Sequence, residues 1–344
     1  MLKYLKELCL MDGVASFEDN VRDYIINEIS AYADDMRIDA LGNLIVFKKG
    51  AKEVPGGLML CAHMDEVGFI VKKIEDDGYL RFSPVGSVDP RVVLGRRVSV
   101  GKDMIPGVIG LKAYHLVSAE EEKHVPDFSQ MYIDIGAPDK EAAQKLVKQG
   151  DKIDFDSDFV EFGEGRIKAK AIDDRVGCAI MMNLIRKDLP CDVTFAFTVQ
   201  EEVGFRGAFG AAFSVKPAIA LVLEGTTSAD ISTVPENKKV TTCGGGPVIG
   251  CMDSHTIYDR KLFDMTVALA KEAGIKWQTK RYISGGTDAS VIQRSREGVR
   301  VECLAVATRY LHSASTVADK KDIDNTYKLT ESFVQAVADG KAGK

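Results

Sequence analysis

Apolar residues near the start of the chain recur at helical intervals. Leu2, Leu5 and Leu8 share one face, as do Val21, Tyr24, Ile25 and Ile29, so residues 2–10 and 17–33 read as helices. The pattern then tightens into short apolar strands at 44–47 and 58–62, introduced by Gly42-Asn43 and Pro55-Gly56-Gly57. Between about 68 and 162, strand-like pieces crowd together: 68–74, 80–83, 97–100, 107–109 and 131–135, with one convincing helix at 139–148. Gly and Pro punctuate them, which predicts a small β-rich unit. Beyond residue 165 strands and helices alternate: helix 176–185, strand 193–199, helix 204–213, strand 219–223, helix 262–273, a strand within 299–307 and helix 322–337. Alternation with wholly apolar strands predicts a sheet covered by helices on both faces. The predicted architecture is one α/β domain, residues 1–67 plus 163–344, with residues 68–162 inserted as a β-rich domain.

A length of 344 residues agrees with roughly two domains. Lys and Arg number 45 against 51 Asp and Glu, a formal net charge of −6 without a dense basic stripe. That argues against nucleic-acid and polybasic membrane partners. Lys3, Lys6, Glu7 and Asp12 interrupt the first apolar run, so no secretory leader is expected. No stretch approaches the about 20 apolar residues of a membrane-spanning helix. Seven cysteines without a C-x-x-C pair predict a reduced, cytoplasmic protein.

Chemistry gathers at predicted strand ends. His63 follows strand 58–62, and His312 follows the strand within 299–307. Glu201-Glu202 follows 193–199, Glu224 follows 219–223, and Asp173-Asp174 opens a helix. Each has a plain structural explanation when taken alone: a core histidine, a solvated strand tip, a helix-dipole partner. The coincidence of all five at strand ends does not, because an acid pair tipping an apolar strand is costly without a neutralising cation. Histidine and carboxylate donors suit zinc or cobalt, and two ions can share a carboxylate. Asp65, two residues beyond His63 on an extended strand, would face the same way and fix the imidazole tautomer. One of two adjacent glutamates can bind metal while the other takes a proton from water.

These residues resemble the M42 metallo-aminopeptidases, the family of glutamyl and tetrahedral aminopeptidases. The resemblance runs through Ala62-His63-Met64-Asp65-Glu66, Ala171-Ile172-Asp173-Asp174-Arg175 and Gln200-Glu201-Glu202-Val203-Gly204. It continues through Ser284-Gly285-Gly286-Thr287-Asp288-Ala289 and Arg309-Tyr310-Leu311-His312-Ser313, and covers nearly the whole chain from Phe17-Glu18. It implies a zinc-exopeptidase-like α/β fold, a mixed sheet sandwiched by helices, with a small β-barrel or PDZ-like insert used in subunit contacts. It further implies two divalent ions per subunit, zinc or cobalt, one on His63 and Glu224 and one on Glu202 and His312. Asp173 would bridge them, Glu201 would act as general base, and Asp65 would support His63. The implied reaction releases N-terminal residues from short peptides by metal-hydroxide attack. The implied particle is a homo-oligomer, from dimer to dodecamer.

Two positions depart from the family pattern: Glu224 stands where many relatives have Asp, and Val14-Ala15-Ser16 precedes Phe17 where Ser-Gly is usual. His115 and His124 flank an acidic run and read as a solvated or interface loop rather than a second metal site. His255 reads as part of a polar loop. Gly244-Gly245-Gly246-Pro247 lacks the Lys-Ser/Thr of a phosphate loop and reads as close backbone approach to the site. Asp288 is either a substrate contact or, like Thr287, a helix cap. Three alternatives to aminopeptidase activity stay open: a metal-dependent deacetylase or amidohydrolase on the same core, an endoglucanase, or an inactive scaffold.

Overall fold

The computed structural model describes residues 1–343. Helices α1 (Leu2–Leu10) and α2 (Asp19–Ile29) lead into strands β1 (Asp35–Ile38), β2 (Leu44–Lys48) and β3 (Leu58–His63). Next come β4 (Gly68–Ile74), β5 (Leu80–Val85), β6 (Arg97–Val100), β7 (Ile105–Gly110), β8 (Tyr132–Asp134), α3 (Lys140–Leu146) and β9 (Lys152–Phe155). The chain returns through β10 (Val160–Phe162) and β11 (Arg166–Ala169) to α4 (Ile172–Ile185), β12 (Val193–Thr198), α5 (Arg206–Val215) and β13 (Ile219–Ser228). It ends with β14 (Val248–Ile249), α6 (Arg260–Glu272), α7 (Ala289–Ile292), β15 (Arg300–Arg309), β16 (Thr316–Asp319) and α8 (Lys320–Ala338).

The larger sheet is ordered β1-β2-β12-β3-β13-β15-β16-β11-β10, with β14 paired to β15. Its centre, β12, β3, β13 and β15, is parallel, and its flanks are antiparallel. Successive residues of β3 divide between two cores, as strand geometry requires. Leu58, Leu60 and Ala62 pack with residues of α1, α2, α4, α6 and α8. Met59 and Cys61 pack with Ala208, Ala211 and Ala212 of α5 and with Ala289 and Ile292 of α7. Both faces are therefore covered. Among the described residues, no helix is long and apolar enough to cross a membrane.

Strands β4-β5-β8-β7-β6-β9 close into a barrel. Alternate residues fill its interior, where Phe69 packs edge-on against Phe82 and Phe155 with ring centres 5.1 and 5.2 Å away. The barrel begins five residues after His63, so the chain leaves the large sheet at a candidate ligand. Phe155 ends the barrel's last strand, and Val160–Phe162 already pairs with β11 of the large sheet. The junction is ionic and buried. The Glu66 carboxylate meets Lys170 and Arg175, Arg175 donates to the Leu8 carbonyl at 2.7 Å, and Lys152 pairs with Asp12 and Asp154. A buried carboxylate facing two cations is compensated, so Glu66 is held beside the chain's entry to the barrel, and Lys152 ties the barrel's last strand to Asp12.

Candidate metal centre

Parallel β3, β12, β13 and β15 open their C-terminal ends at one sheet edge, where α/β folds place ligands. His63 is the last residue of β3, in register with Thr198, the last of β12. Glu201 and Glu202 lie in the turn that follows, Asp173 sits in the first turn of α4, and His312 lies beyond β15. Glu224 differs from expectation. It is not a strand tip, because β13 continues to Ser228 with Glu224 paired to Ala305. Pairing with β15 sustains β13 beyond Val222↔Cys61, where β3 leaves the ladder. Glu224 then faces the end of β3.

The side chains meet. His63 Nε2 is 3.3 Å from Asp173 Oδ1 and 3.3 Å from Glu224 Oε1. His312 Nε2 is 3.3 Å from Glu202 Oε2 and 3.7 Å from Asp173 Oδ2. Asp173 thus offers one oxygen towards each histidine. Donor atoms of His63, Asp173 and Glu202 lie within 4.8 Å of one another, as do those of His63, Glu201 and Glu224 and those of Asp173, Asp174 and Glu224.

Surrounding groups fix these side chains. His63 Nδ1 is 3.0 Å from the Asp65 carbonyl and 3.4 Å from its carboxylate. His312 Nδ1 is 2.7 Å from the Ser87 carbonyl. A proton on each Nδ1 satisfies these acceptors and leaves Nε2 as the free ligand nitrogen. Asp65 does reach His63, but not from an extended strand face as expected. The strand has ended, and the carboxylate, besides lying beside His63 Nδ1, accepts from the amides of Glu201 at 3.0 Å and Glu202 at 3.1 Å. The preceding amide, Gln200, donates to Glu18 Oε1 at 3.1 Å. Asp174, fully buried, accepts from the His63 amide at 3.2 Å and the Gly177 amide at 3.0 Å. Left-handed backbone at Ala171, Gln200, Phe205, Tyr310 and His312 bends the connecting turns around the site.

Burial raises the carboxyls of Glu201 and Glu224 well above their ordinary range and that of Glu202 to about 7. Burial also opposes charge on the histidines, but Glu224 and Asp173 lift His63, and Glu202 and Asp173 lift His312 to about 9. For Asp173, burial is outweighed by His312 and His63, which hold it low. Protons therefore balance the charge of a crowded acidic cavity, the position a cation would otherwise fill. Asp173 Oδ1 and Glu224 Oε2 are buried without a hydrogen-bond partner. Two imidazoles, several carboxylates and orphaned oxygens at one point suit divalent metal.

The cluster opens into a cleft of about 590 Å³ whose lining includes Ser87, His255, Lys280 and Thr287. His255 lies in a polar loop, as expected, and that loop lines the cleft. Asp288 is fully buried and accepts from the Thr198 hydroxyl at 2.6 Å, so it is not a cleft contact. The amides of Gly244 and Gly246 donate to Asp322 at 2.6 and 2.8 Å, which corrects the expectation that this loop approaches the site. His115 and His124 lie exposed in the insert, His124 beside Glu120 at 3.3 Å. Glu18, Asp174 and the Ser87 carbonyl were not assigned roles from sequence. Only Asp174, adjacent to Asp173, carried a local signal.

A family model described as M42 glutamyl aminopeptidase matches residues 42–329. The chain is 31% identical to the lysyl aminopeptidase of Pyrococcus furiosus, covering 96% of each chain. A TET aminopeptidase from a marine sediment archaeon, Thaumarchaeota archaeon SCGC AB-539-E09, superposes with a TM-score of 0.93 at 33% identity, over 99% of this chain and 98% of that one. The TET1 peptidase of Pyrococcus horikoshii, which can assemble into a tetrahedron or a large octahedral shell, gives 0.85 at 34% identity, over 97% and 98%.

Proposed function

The chain belongs to the M42 aminopeptidase family, and on that premise we propose a dinuclear metal centre that removes N-terminal residues from short peptides. The convergence of His63, Asp173, Glu202, Glu224 and His312 beside Glu201 carries this reading. His63 and Glu224 would hold one divalent ion, Glu202 and His312 the other, and Asp173 would bridge. Two ions bound there, zinc or cobalt, supply Lewis-acid polarisation of the scissile carbonyl and acidify water at neutral pH.

The chain's own groups do the rest. Glu201 is 8% exposed, buried enough that its carboxylate is a strong proton acceptor and open enough to reach the cleft. It accepts a proton from the attacking water and returns it to the leaving amine. Asp65 holds Glu201 and Glu202 through their amides, and the Ser87 carbonyl orients His312. Glutamate at 224 reaches His63 from within a strand, which a shorter aspartate on the same backbone would do less well. Seven cysteines without a pairing pattern support a reducing, cytoplasmic setting. The insert is read as a self-association domain.

The test is a mass-spectrometric digest of one peptide, free and N-acetylated, with protein stripped by chelator and then reloaded with zinc or cobalt. Stepwise shortening of the free peptide alone, and only with metal, is expected. Release of acetate alone would transfer the centre to a deacetylase, and cellulose hydrolysis that survives chelation would favour an endoglucanase. Glu201→Gln should retain metal by elemental analysis yet lose about 10²–10⁴-fold in kcat.

A further inference from the structure

The two imidazoles of the cluster are carried differently. His63 is the last residue of β3, still in register with Thr198, and its side chain is 1% exposed. His312 lies three residues beyond the end of β15, and its side chain is 25% exposed. The chain leaves β15 through Tyr310 and His312, both in the left-handed region with φ of 58° and 57°. Residues other than glycine keep such backbone only where their surroundings over-determine it. The Ser87 carbonyl holds the ring of His312. The strand end that launches the turn is held by Arg309.

Arg309 makes the last pair of the β13–β15 ladder, opposite Ser228, and also pairs with Val317 of β16. Its guanidinium reaches Asp230, two residues past the end of β13. Nε donates to Oδ1 and Nη2 to Oδ2, both at 2.7 Å. The Ser228 hydroxyl donates to Oδ1 at 2.7 Å and the Cys243 amide to Oδ2 at 3.1 Å. Each oxygen of Asp230 therefore accepts twice, which fills the carboxylate's capacity. Burial opposes charge on Asp230, but Arg309 and the Ser228 hydroxyl outweigh it and hold the carboxyl at about 2. The pair is thus ionised throughout the neutral range, in the forked geometry that fixes angle as well as distance. Asp230 does not line the cleft, and the metal cluster does not include it.

We infer that Asp230 and Arg309 are positioning residues for His312, and that they govern the ion on Glu202 and His312 far more than the ion on His63 and Glu224. This rests on the dinuclear reading. His63 and Glu224 stand within paired strands, so their placement does not pass through Arg309. His312 has only a short turn between itself and the clamped strand end. A displacement of that end is carried directly to Nε2, and a metal–ligand distance tolerates only about 0.2 Å.

The test is a calorimetric titration of chelator-stripped protein with cobalt(II), read together with the cobalt absorption spectrum. The wild-type chain should take up two ions. Asp230→Asn keeps the side chain's shape but turns an NH2 group towards a donor. It should bind one ion as the wild type does and the other roughly tenfold to a hundredfold more weakly, the usual cost of losing such a support. Its spectrum at limiting cobalt should match that of His312→Ala and differ from that of His63→Ala. Arg309→Lys keeps the charge and loses the fork, so it should weaken the same ion by a smaller factor. It carries the test alone if circular dichroism shows that Asp230→Asn does not fold. Two ions at wild-type affinity in every folded variant overturn the positioning role and leave the dinuclear centre standing. Equal weakening of both ions overturns it too, by making the pair a general brace of the fold. A wild-type chain that takes up fewer than two ions overturns the dinuclear reading and this inference with it.

Discussion

Three successive amides, those of Gln200, Glu201 and Glu202, donate to two buried carboxylates, Glu18 and Asp65. The turn that carries the proposed base is thereby tied to α2's approach and to the end of β3. Glu18 Oε1 also accepts from the Ser16 amide at 2.9 Å. Removing this acceptor leaves two donors unmet at a cost of about 1–3 kcal/mol each when buried. Glu18→Ala should therefore lower stability in urea by a few kcal/mol and reduce kcat, because the base loses its fixed aim. Glu18→Gln keeps a carbonyl acceptor and should restore most of both. Equal activity in wild type and Glu18→Ala would show that the turn holds without Glu18. Burial, reinforced by Asp65, pushes the Glu18 carboxyl up to about 7. A folded-state value above the unfolded one means that the native chain binds the extra proton, so this group weakens the fold as pH rises from about 4 through 7. The stability of Glu18→Gln relative to wild type should accordingly improve over that interval.

At the scale of elements, the centre draws on β3, the turn after β12, β13, α4 and the turn after β15. Metal held by all five would join parts of the chain up to 249 residues apart, His63 to His312. A ligand that binds only the folded chain adds about 2.7 kcal/mol at a hundredfold excess over Kd. For a chain of this size that is roughly 3–5 °C in Tm. Adding zinc or cobalt to chelator-stripped protein should raise the melting temperature by that order, and His63→Ala should abolish most of the rise. An unchanged melt with metal would remove the centre from the account of this fold. Much of this arrangement is legible in the sequence, because His63, Glu202 and His312 follow largely apolar strands whose ends a parallel sheet must align. The end of β13 was not legible: Glu224 through Ser228 is polar, and only pairing with β15 keeps it extended. Short flanking strands such as β1, β10 and β16 carry mixed polarity and no period to read. The support of His312 by Ser87 leaves no sequence trace, since the acceptor is a carbonyl that every residue has.

For the whole molecule, the barrel segment presents two surfaces with different surroundings. One reaches the large-sheet layer through Ser87 and through Lys152 and Asp154, which meet Asp12 and the Gly13 amide. The other is the segment between β7 and β8, where Tyr114 is 78% exposed, Leu116 61% and Val125 53%. A groove of about 360 Å³ there is walled by Leu111, Val117, Val125 and Pro126. Apolar side chains gathered on one surface loop are unfavourable in water at roughly 25 cal/mol per Å², and burial against another subunit removes that cost. The charges beside them, Glu120, Glu121 and Lys112, give such a contact a polar rim. None of these residues lines the catalytic cleft. Light scattering should therefore give a mass that is a multiple of the 37.5 kDa chain. The double variant Tyr114→Asp with Leu116→Asp should shift that mass downwards while the metal content per chain holds, because the ligands and Ser87 are untouched. A wild-type chain that stays at the monomer mass at micromolar concentration counts against self-association through the insert. A double variant that keeps the full wild-type mass locates the contact elsewhere on the molecule.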